Sequence, residues 1–293
     1  MERTSCDICS LPLSKPFTRH DHKFFPCRVA MCLTCGLVKL NPRWSEDKYR
    51  RFYARKYDRF YRDPDKSAEE LFALDLEAKG KRMGERLKGI SLPAAVKMLD
   101  IGAGTGFTFF SLPPAVEVKA HAVEASPKCV PFLKSKGVAI VGNDFSADFG
   151  NGYDLIVARH VLEHVLDPRS FLSKIKNSLN KDGLLYLAVP NAMFFNEDKA
   201  DSFFRHVHTY YFNLKTLLLL CRMAGFQPLQ ANADNELWAI LKRSEIEDPP
   251  ADPLPDISPA DQLKIVQRYV ASSRPPLRRR LMAMAKRLAY GTF

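Results

Sequence analysis

Between Val96 and Arg243 the chain repeats one pattern, in which a short run of consecutive apolar residues gives way to a longer amphipathic stretch. Unbroken apolar runs suit strands buried on both faces, and the amphipathic stretches suit helices that cover those faces. The segment therefore predicts parallel strands joined by helices. The strands fall at 96–101, 121–124, 138–141, 154–158, 184–189 and 237–241. Before the last of them, Asn213 can cap a helix that carries Leu217, Leu218, Leu220, Cys221 and Ala224 and stops at Gly225. The fold class is α/β.

Other patterns flank this core. Residues 1–41 hold only short hydrophobic pieces among cysteines, while 42–92 read as a charged helical linker or lid in which Trp44, Tyr49, Phe52, Tyr53, Tyr57, Phe60 and Tyr61 stand among Arg and Lys. After the core domain (93–244), the stretch 245–262 contains five prolines and six acids without Lys or Arg, as an extended linker would. In the tail, 263–293, Leu277, Leu281, Met284, Ala285 and Leu288 share one helical face, and Arg278, Arg279, Arg280, Lys286 and Arg287 lie largely elsewhere. Such a helix suits an anionic membrane surface, or packs on its own body or a second subunit.

A length of 293 residues allows about two domains. With 46% hydrophobic and 26% charged residues, disordered and fibrous classes are excluded. No apolar run approaches the roughly 18 residues of a membrane-spanning helix. The first residues lack the basic and then apolar order of a secretory signal, so the expected location is cytoplasmic, with the inner membrane face as a peripheral site. The net charge of +11 raises nucleic acid as a partner, yet eight basic residues from Lys264 to Arg287, with no acid after Gln262, account for all but three of it.

Five of the seven cysteines lie in the first 35 residues. Cys6-x-x-Cys9 and Cys32-x-x-Cys35 are two chelating knuckles that let four thiolates converge on one tetrahedral Zn2+. Four protein ligands leave no open position, so this zinc is expected to be structural, with Cys27 a small buried residue.

After the strand ending at Leu99 comes Asp100-Ile101-Gly102-Ala103-Gly104-Thr105-Gly106. Its glycines allow a sharp turn between strand and helix and a ligand in contact with backbone. The spacing G-x-G-x-G, with Phe107 next, departs from the dinucleotide fingerprint and disfavours NAD. About 20 residues on, Glu124 can accept both ribose hydroxyls. Asp144 can accept from an adenine amino group while Phe145 covers the ring. These make an adenosine site.

The run Leu99 to Gly106, then Val123-Glu124-Ala125-Ser126, Asp144, Tyr153 to Val157 and Gly183 to Asn191, resembles class I S-adenosylmethionine-dependent methyltransferases over about half of the chain. The resemblance implies a mostly parallel, Rossmann-like seven-stranded sheet. It places the methionine end of the cofactor over Gly102, Ala103, Gly104 and Gly106, with Asp100 near its amino group and Arg159 among the cofactor contacts.

His160-Val161-Leu162-Glu163-His164 matches the H-x-x-E-H zinc motif of one protease class, but it directly follows the fourth strand, where a site-lining role is expected instead. A second cluster, Arg205 to Phe212, holds His206, His208, Tyr210 and Tyr211. A hydroxyl acceptor needs a base near neutral pH, and His208 is the first candidate, with His164, His160 and Tyr210 beside it. The whole arrangement, from about 6 to 242, is similar to zinc-ribbon methyltransferases associated with bacterial surface polysaccharides and related to deoxysugar C-methyltransferases. In the latter a Glu-His pair precedes the aromatic pair and a large further domain follows; here Val207 replaces the Glu, and a short basic tail follows. Methylation of a sugar or saccharide hydroxyl is the expectation. The alternatives are an RNA methyltransferase, a sugar C-methyltransferase and a non-enzymatic zinc-ribbon interaction protein.

Overall fold

The computed structural model describes residues 1–23, 25–61, 65–196, 200–244 and 254–272, together with 281 and 285. Two short strands, β1 (Val29–Met31) and β2 (Val38–Leu40), open the chain. Helices α1 (Glu46–Arg55), α2 (Tyr57–Tyr61), α3 (Ala68–Asp75) and α4 (Lys81–Leu87) follow, the last two joined by a π-helical turn. The core then alternates β3 (Ala95–Ile101), β4 (Glu117–Val123), α5 (Cys129–Ser135), β5 (Ala139–Gly142), β6 (Tyr153–Arg159), α6 (Pro168–Ser178) and β7 (Leu179–Pro190). It closes with α7 (Ala200–Phe203), β8 (Tyr210–Tyr211), α8 (Leu214–Met223), β9 (Phe226–Ala233), β10 (Glu236–Arg243) and α9 (Pro259–Ser272).

Seven strands form one sheet in the order β5-β4-β3-β6-β7-β10-β9. β3 to β7 run parallel and β10 is antiparallel to both neighbours, which makes the sheet mixed but mostly parallel. Leu155, Ile156, Val157 and Ala158 are wholly buried, as apolar runs covered on both faces must be. The order reverses between β3 and β6, and a crevice at the carboxyl ends of strands on either side of such a switch is where open α/β sheets bind ligands. The glycine loop leaves β3 and the His160 turn leaves β6, so the fold delivers both to that crevice. Asn213 caps α8 with a reciprocal capping box to Thr216.

A second sheet has the order β1-β2-β8. Its third strand comes from the core region: Val38 pairs with Tyr211 and Lys39 with Tyr210. The cysteine-rich segment and the histidine-rich segment thus share backbone hydrogen bonds, including Leu40 N–H to the Thr209 carbonyl at 2.9 Å.

The linker expected over 245–262 and the tail expected from 263 meet inside a single helix, α9. Ser258 accepts from the Asp261 amide at 3.1 Å and Pro259 opens the helix. Start chemistry is therefore what the proline and acid count concealed. Val266 and Tyr269 pack with Val29, Met31, Val38 and Leu40, and Tyr269 stacks on Phe203 at 3.8 Å. The apolar face of this part of the tail is covered by the molecule itself. The remainder of the expected amphipathic face, Leu277, Met284 and Leu288, lies outside the described residues, as do Arg278, Arg279, Arg280, Lys286 and Arg287. Among the described residues no helix is long and apolar enough to cross a membrane.

Candidate active site

Each cysteine knuckle folds by the same local bonds. Cys6 N–H reaches the Leu11 carbonyl and Ser10 N–H the Cys6 carbonyl; Cys32 N–H reaches Leu37 and Gly36 N–H reaches Cys32, all at 2.8–2.9 Å. Ser10 and Gly36 occupy matching places and both have positive φ, 60° and 83°. The knuckles bring four sulfurs together, with Cys6–Cys35 at 3.4 Å, Cys9–Cys32 at 3.3 Å and Cys9–Cys35 at 4.0 Å. A tetrahedral zinc with bonds of about 2.3 Å sets its sulfurs about 3.8 Å apart. The donor set fits zinc. The hydrogen bond from Cys35 draws the Cys6 thiol down to about 5, and Cys35 is pushed up in return. Cys27 is fully buried, bonded to neither knuckle.

The glycine loop is held by its acid. Glu124 accepts from Gly104 N–H at 2.6 Å through Oε2 and from Ser126 N–H at 2.7 Å through Oε1, so it braces the loop. Gly102 (φ 72°) could not carry a side chain, because a Cβ there would meet Val161 at 2.7 Å. At Gly104 (φ 57°) a Cβ would enter open space, which is where a ligand can lie against the backbone. The Thr105 hydroxyl is buried and finds no hydrogen-bond partner among the described residues. Open space, an orphaned donor and a buried acid fit the adenosyl cofactor that the loop implies. After Gly106 the chain makes a four-residue 3-10 turn, Phe107–Phe110, in place of the expected helix. A dinucleotide pyrophosphate relies on a full helix N-terminus, so this agrees with disfavouring NAD.

Asp100 is buried and accepts from the Thr108 hydroxyl. Burial pushes its carboxyl up to about 7 against that bond, and the charge of Glu124 adds to the push. Asp144 is exposed and caps its own turn, accepting from the Ser146 amide at 2.7 Å and hydroxyl at 2.6 Å, which holds it below the usual carboxylate range. Phe145 packs edge-on against Phe171 at 5.7 Å. Arg159 is engaged by Glu236 at 2.7 Å, its guanidinium 5.9 Å from the Phe107 ring. Ala103 is buried in the core beneath the loop.

The structure brings Glu163, His164 and His208 together, one donor atom of each lying within 4.8 Å of the others. H-x-x-E-H is no helix here: His160 has φ 55° and Leu162–His164 form a 3-10 turn. His160 bridges two acids, with Nε2 3.0 Å from Glu236 and Nδ1 3.4 Å from Glu163, and these acids raise its pKa against the effect of burial. His208 stands edge-to-face on His164 at 4.8 Å. Burial, with His164 and Arg205 adding, drives its pKa well below the ordinary value and keeps the ring neutral.

Tyr210 stacks on Phe212 at 5.6 Å, and its hydroxyl donates to the Leu166 carbonyl at 3.2 Å and lies 3.4 Å from Arg43. Of the aromatics that stand among Arg and Lys in 42–92, Trp44, Tyr49 and Phe52 are buried with Phe25 and Val207. Tyr53 instead reaches His164 Nδ1 at 3.0 Å.

Two residues that sequence reasoning missed organise this cluster. Thr209 fastens the His208 segment to the Glu163 turn, its amide donating to the Glu163 carbonyl at 2.6 Å and its hydroxyl to the carbonyls of Glu163 and Val165. Glu236 gathers Arg86, Arg159 and His160. A threonine before an aromatic pair and an acid opening a strand carry no motif; only the pairing of distant segments reveals them.

A family model described as a methyltransferase domain matches residues 46–231. An uncharacterized methyltransferase of Bacillus subtilis (strain 168), YcgJ, is 30% identical over 131 residues, 42% of this chain and 51% of that protein. The chain thus spans about half the length of this curated relative. Among solved structures it is similar to a SAM-dependent methyltransferase from Thermotoga maritima, with 15% identity, 66% of this chain and 100% of that chain covered and a TM-score of 0.49. It is similar also to the YcgJ crystal structure, with 21% identity, 51% and 70% of the two chains covered and a TM-score of 0.42.

Proposed function

The chain belongs to the methyltransferase-domain family and is an S-adenosylmethionine-dependent methyltransferase, and from that premise we propose that it methylates a hydroxyl of a sugar or saccharide intermediate of surface polysaccharide or glycoconjugate synthesis. The observation that carries this reading is the junction of the His208 segment with the Glu163 turn, beside the glycine loop: Val161 of that turn is the residue against which Gly102 packs.

When bound, S-adenosylmethionine supplies an electrophilic methyl group on a sulfonium. Gly102 to Gly106 would offer it backbone, Glu124 would take its ribose and Asp100 would face its amino group, while Asp144 and Phe145 would flank the adenine. The acceptor hydroxyl is delivered to Glu163, His164 and His208. Its oxygen takes the methyl carbon, its proton is lost at the cluster, and the carbon–sulfur electron pair returns to sulfur. His208 is the residue on which proton loss depends. Cys6, Cys9, Cys32 and Cys35 would hold zinc, which would brace the strand pair β1-β2; β8 adds to that pair and fixes where the His208 segment ends.

Two measurements test this. His208→Ala is expected to abolish turnover and leave S-adenosylhomocysteine affinity near wild type; sustained turnover removes His208 from the role. The methylated product is expected to be a sugar methyl ether stable to acid hydrolysis, and a carbon-linked methyl group contradicts the oxygen acceptor.

A further inference from the structure

The turn after β6 buries a carboxylate: Glu163 is 1% exposed. A buried carboxylate is costly unless donors or cations surround it. His160 compensates it from one side, with Nδ1 3.4 Å from Oε1, and is shared with Glu236 through Nε2.

On the other side stands His164, with Nε2 3.8 Å from Glu163 Oε1. The tautomer of His164 is set by its other nitrogen. Nδ1 lies 2.9 Å from the Val207 carbonyl and 3.0 Å from the Tyr53 hydroxyl, and a proton on Nδ1 serves that carbonyl and leaves the Nε2 lone pair on the side of Glu163. A backbone carbonyl on the far nitrogen is also how metal-bound imidazoles are oriented. His208 brings the third donor, its ring edge-on to His164 and half-buried, so the cluster can be reached from outside.

We propose that Glu163, His164 and His208 form a second metal site, separate from the four cysteines, for one divalent transition-metal ion of the manganese, cobalt or zinc type. Ligands at about 2.1 Å from an ion lie about 3.0 to 3.4 Å apart. The three donors, within 4.8 Å of one another, need a closure of at most about 1.4 to 1.8 Å, within reach of side-chain rotation. One carboxylate and two imidazoles suit these ions and leave coordination positions open. On the sugar reading, from which this part of the inference proceeds, the open positions take two neighbouring oxygens of the acceptor. His208 then acts through the ion, which makes the bound hydroxyl acidic enough to release its proton to water.

The test is manganese titration of the full chain loaded with one zinc per chain, any further zinc having been removed by dialysis against a chelator, followed by electron paramagnetic resonance. Mn2+ prefers oxygen and nitrogen to thiolate, so the cysteine cluster does not compete. One Mn2+ per chain is expected, with binding weakened about tenfold or more in Glu163→Gln and in His208→Ala, while both variants still bind S-adenosylhomocysteine. No bound manganese in the wild type, or equal binding in both variants, overturns the proposal. Ion binding without methylation of any saccharide leaves the site standing and removes the sugar reading. Saccharide methylation with no ion bound does the reverse.

Discussion

Asp100 serves two states that want different protonation. Without a ligand it is buried, and its carboxyl sits at about 7; beside a cationic amino group it must be ionised. The folded protein keeps a proton that the unfolded chain releases near pH 4, so this group takes away stability progressively from about pH 4 to about pH 7. Ligand binding runs the other way. Affinity for S-adenosylhomocysteine, measured by calorimetry, is expected to rise about tenfold from pH 6 to pH 8 as the ionised fraction grows. Asp100→Asn should flatten that profile, and an unchanged slope in the variant contradicts the assignment. Residues such as Asp100, Gly102, Gly104 and Glu124 were legible in the sequence because a tight turn and a buried acid demand particular residue types at fixed spacing. Thr209 and Glu236 were not, because their work is to bond segments that the sequence sets far apart. The partners of the Tyr210 hydroxyl, Arg43 and the Leu166 carbonyl, were illegible for the same reason.

Among the elements, the buried parallel strands were the readable ones, since Ile156 and Leu187 sit in apolar runs with no polar alternation. β9 escaped because it is an edge strand, largely half-buried or exposed, and its Gln227, Pro228, Gln230 and Asn232 mimic a loop. β8 is two residues long and exists through its pairing with β2. No local signal announces such a strand. α9 tests how firmly the tail is anchored: Tyr269 is 1% exposed, stacks on Phe203 and donates its hydroxyl to the Phe194 carbonyl. Tyr269→Ala is expected to cost about 3 kcal/mol in urea denaturation, with S-adenosylhomocysteine affinity unchanged because the glycine loop lies elsewhere. An unaltered urea midpoint would mean that the helix does not pack on β1 and β2 in solution.

At the scale of the molecule, three regions remote in sequence form one working unit. The cysteine segment supplies two strands, the core sheet supplies the glycine loop and the Glu163 turn, and the segment 205–212 joins them by adding β8 to the first and bonding Thr209 to the second. The measurement that tests the central claim most directly is methyl transfer from radiolabelled S-adenosylmethionine into extracts of a strain lacking this protein, with purified protein added and the products separated into saccharide with glycolipid, RNA and protein fractions. Label is expected in the saccharide and glycolipid fraction, present with wild-type protein and absent with His208→Ala. Label confined to RNA or protein would contradict methylation of a saccharide hydroxyl.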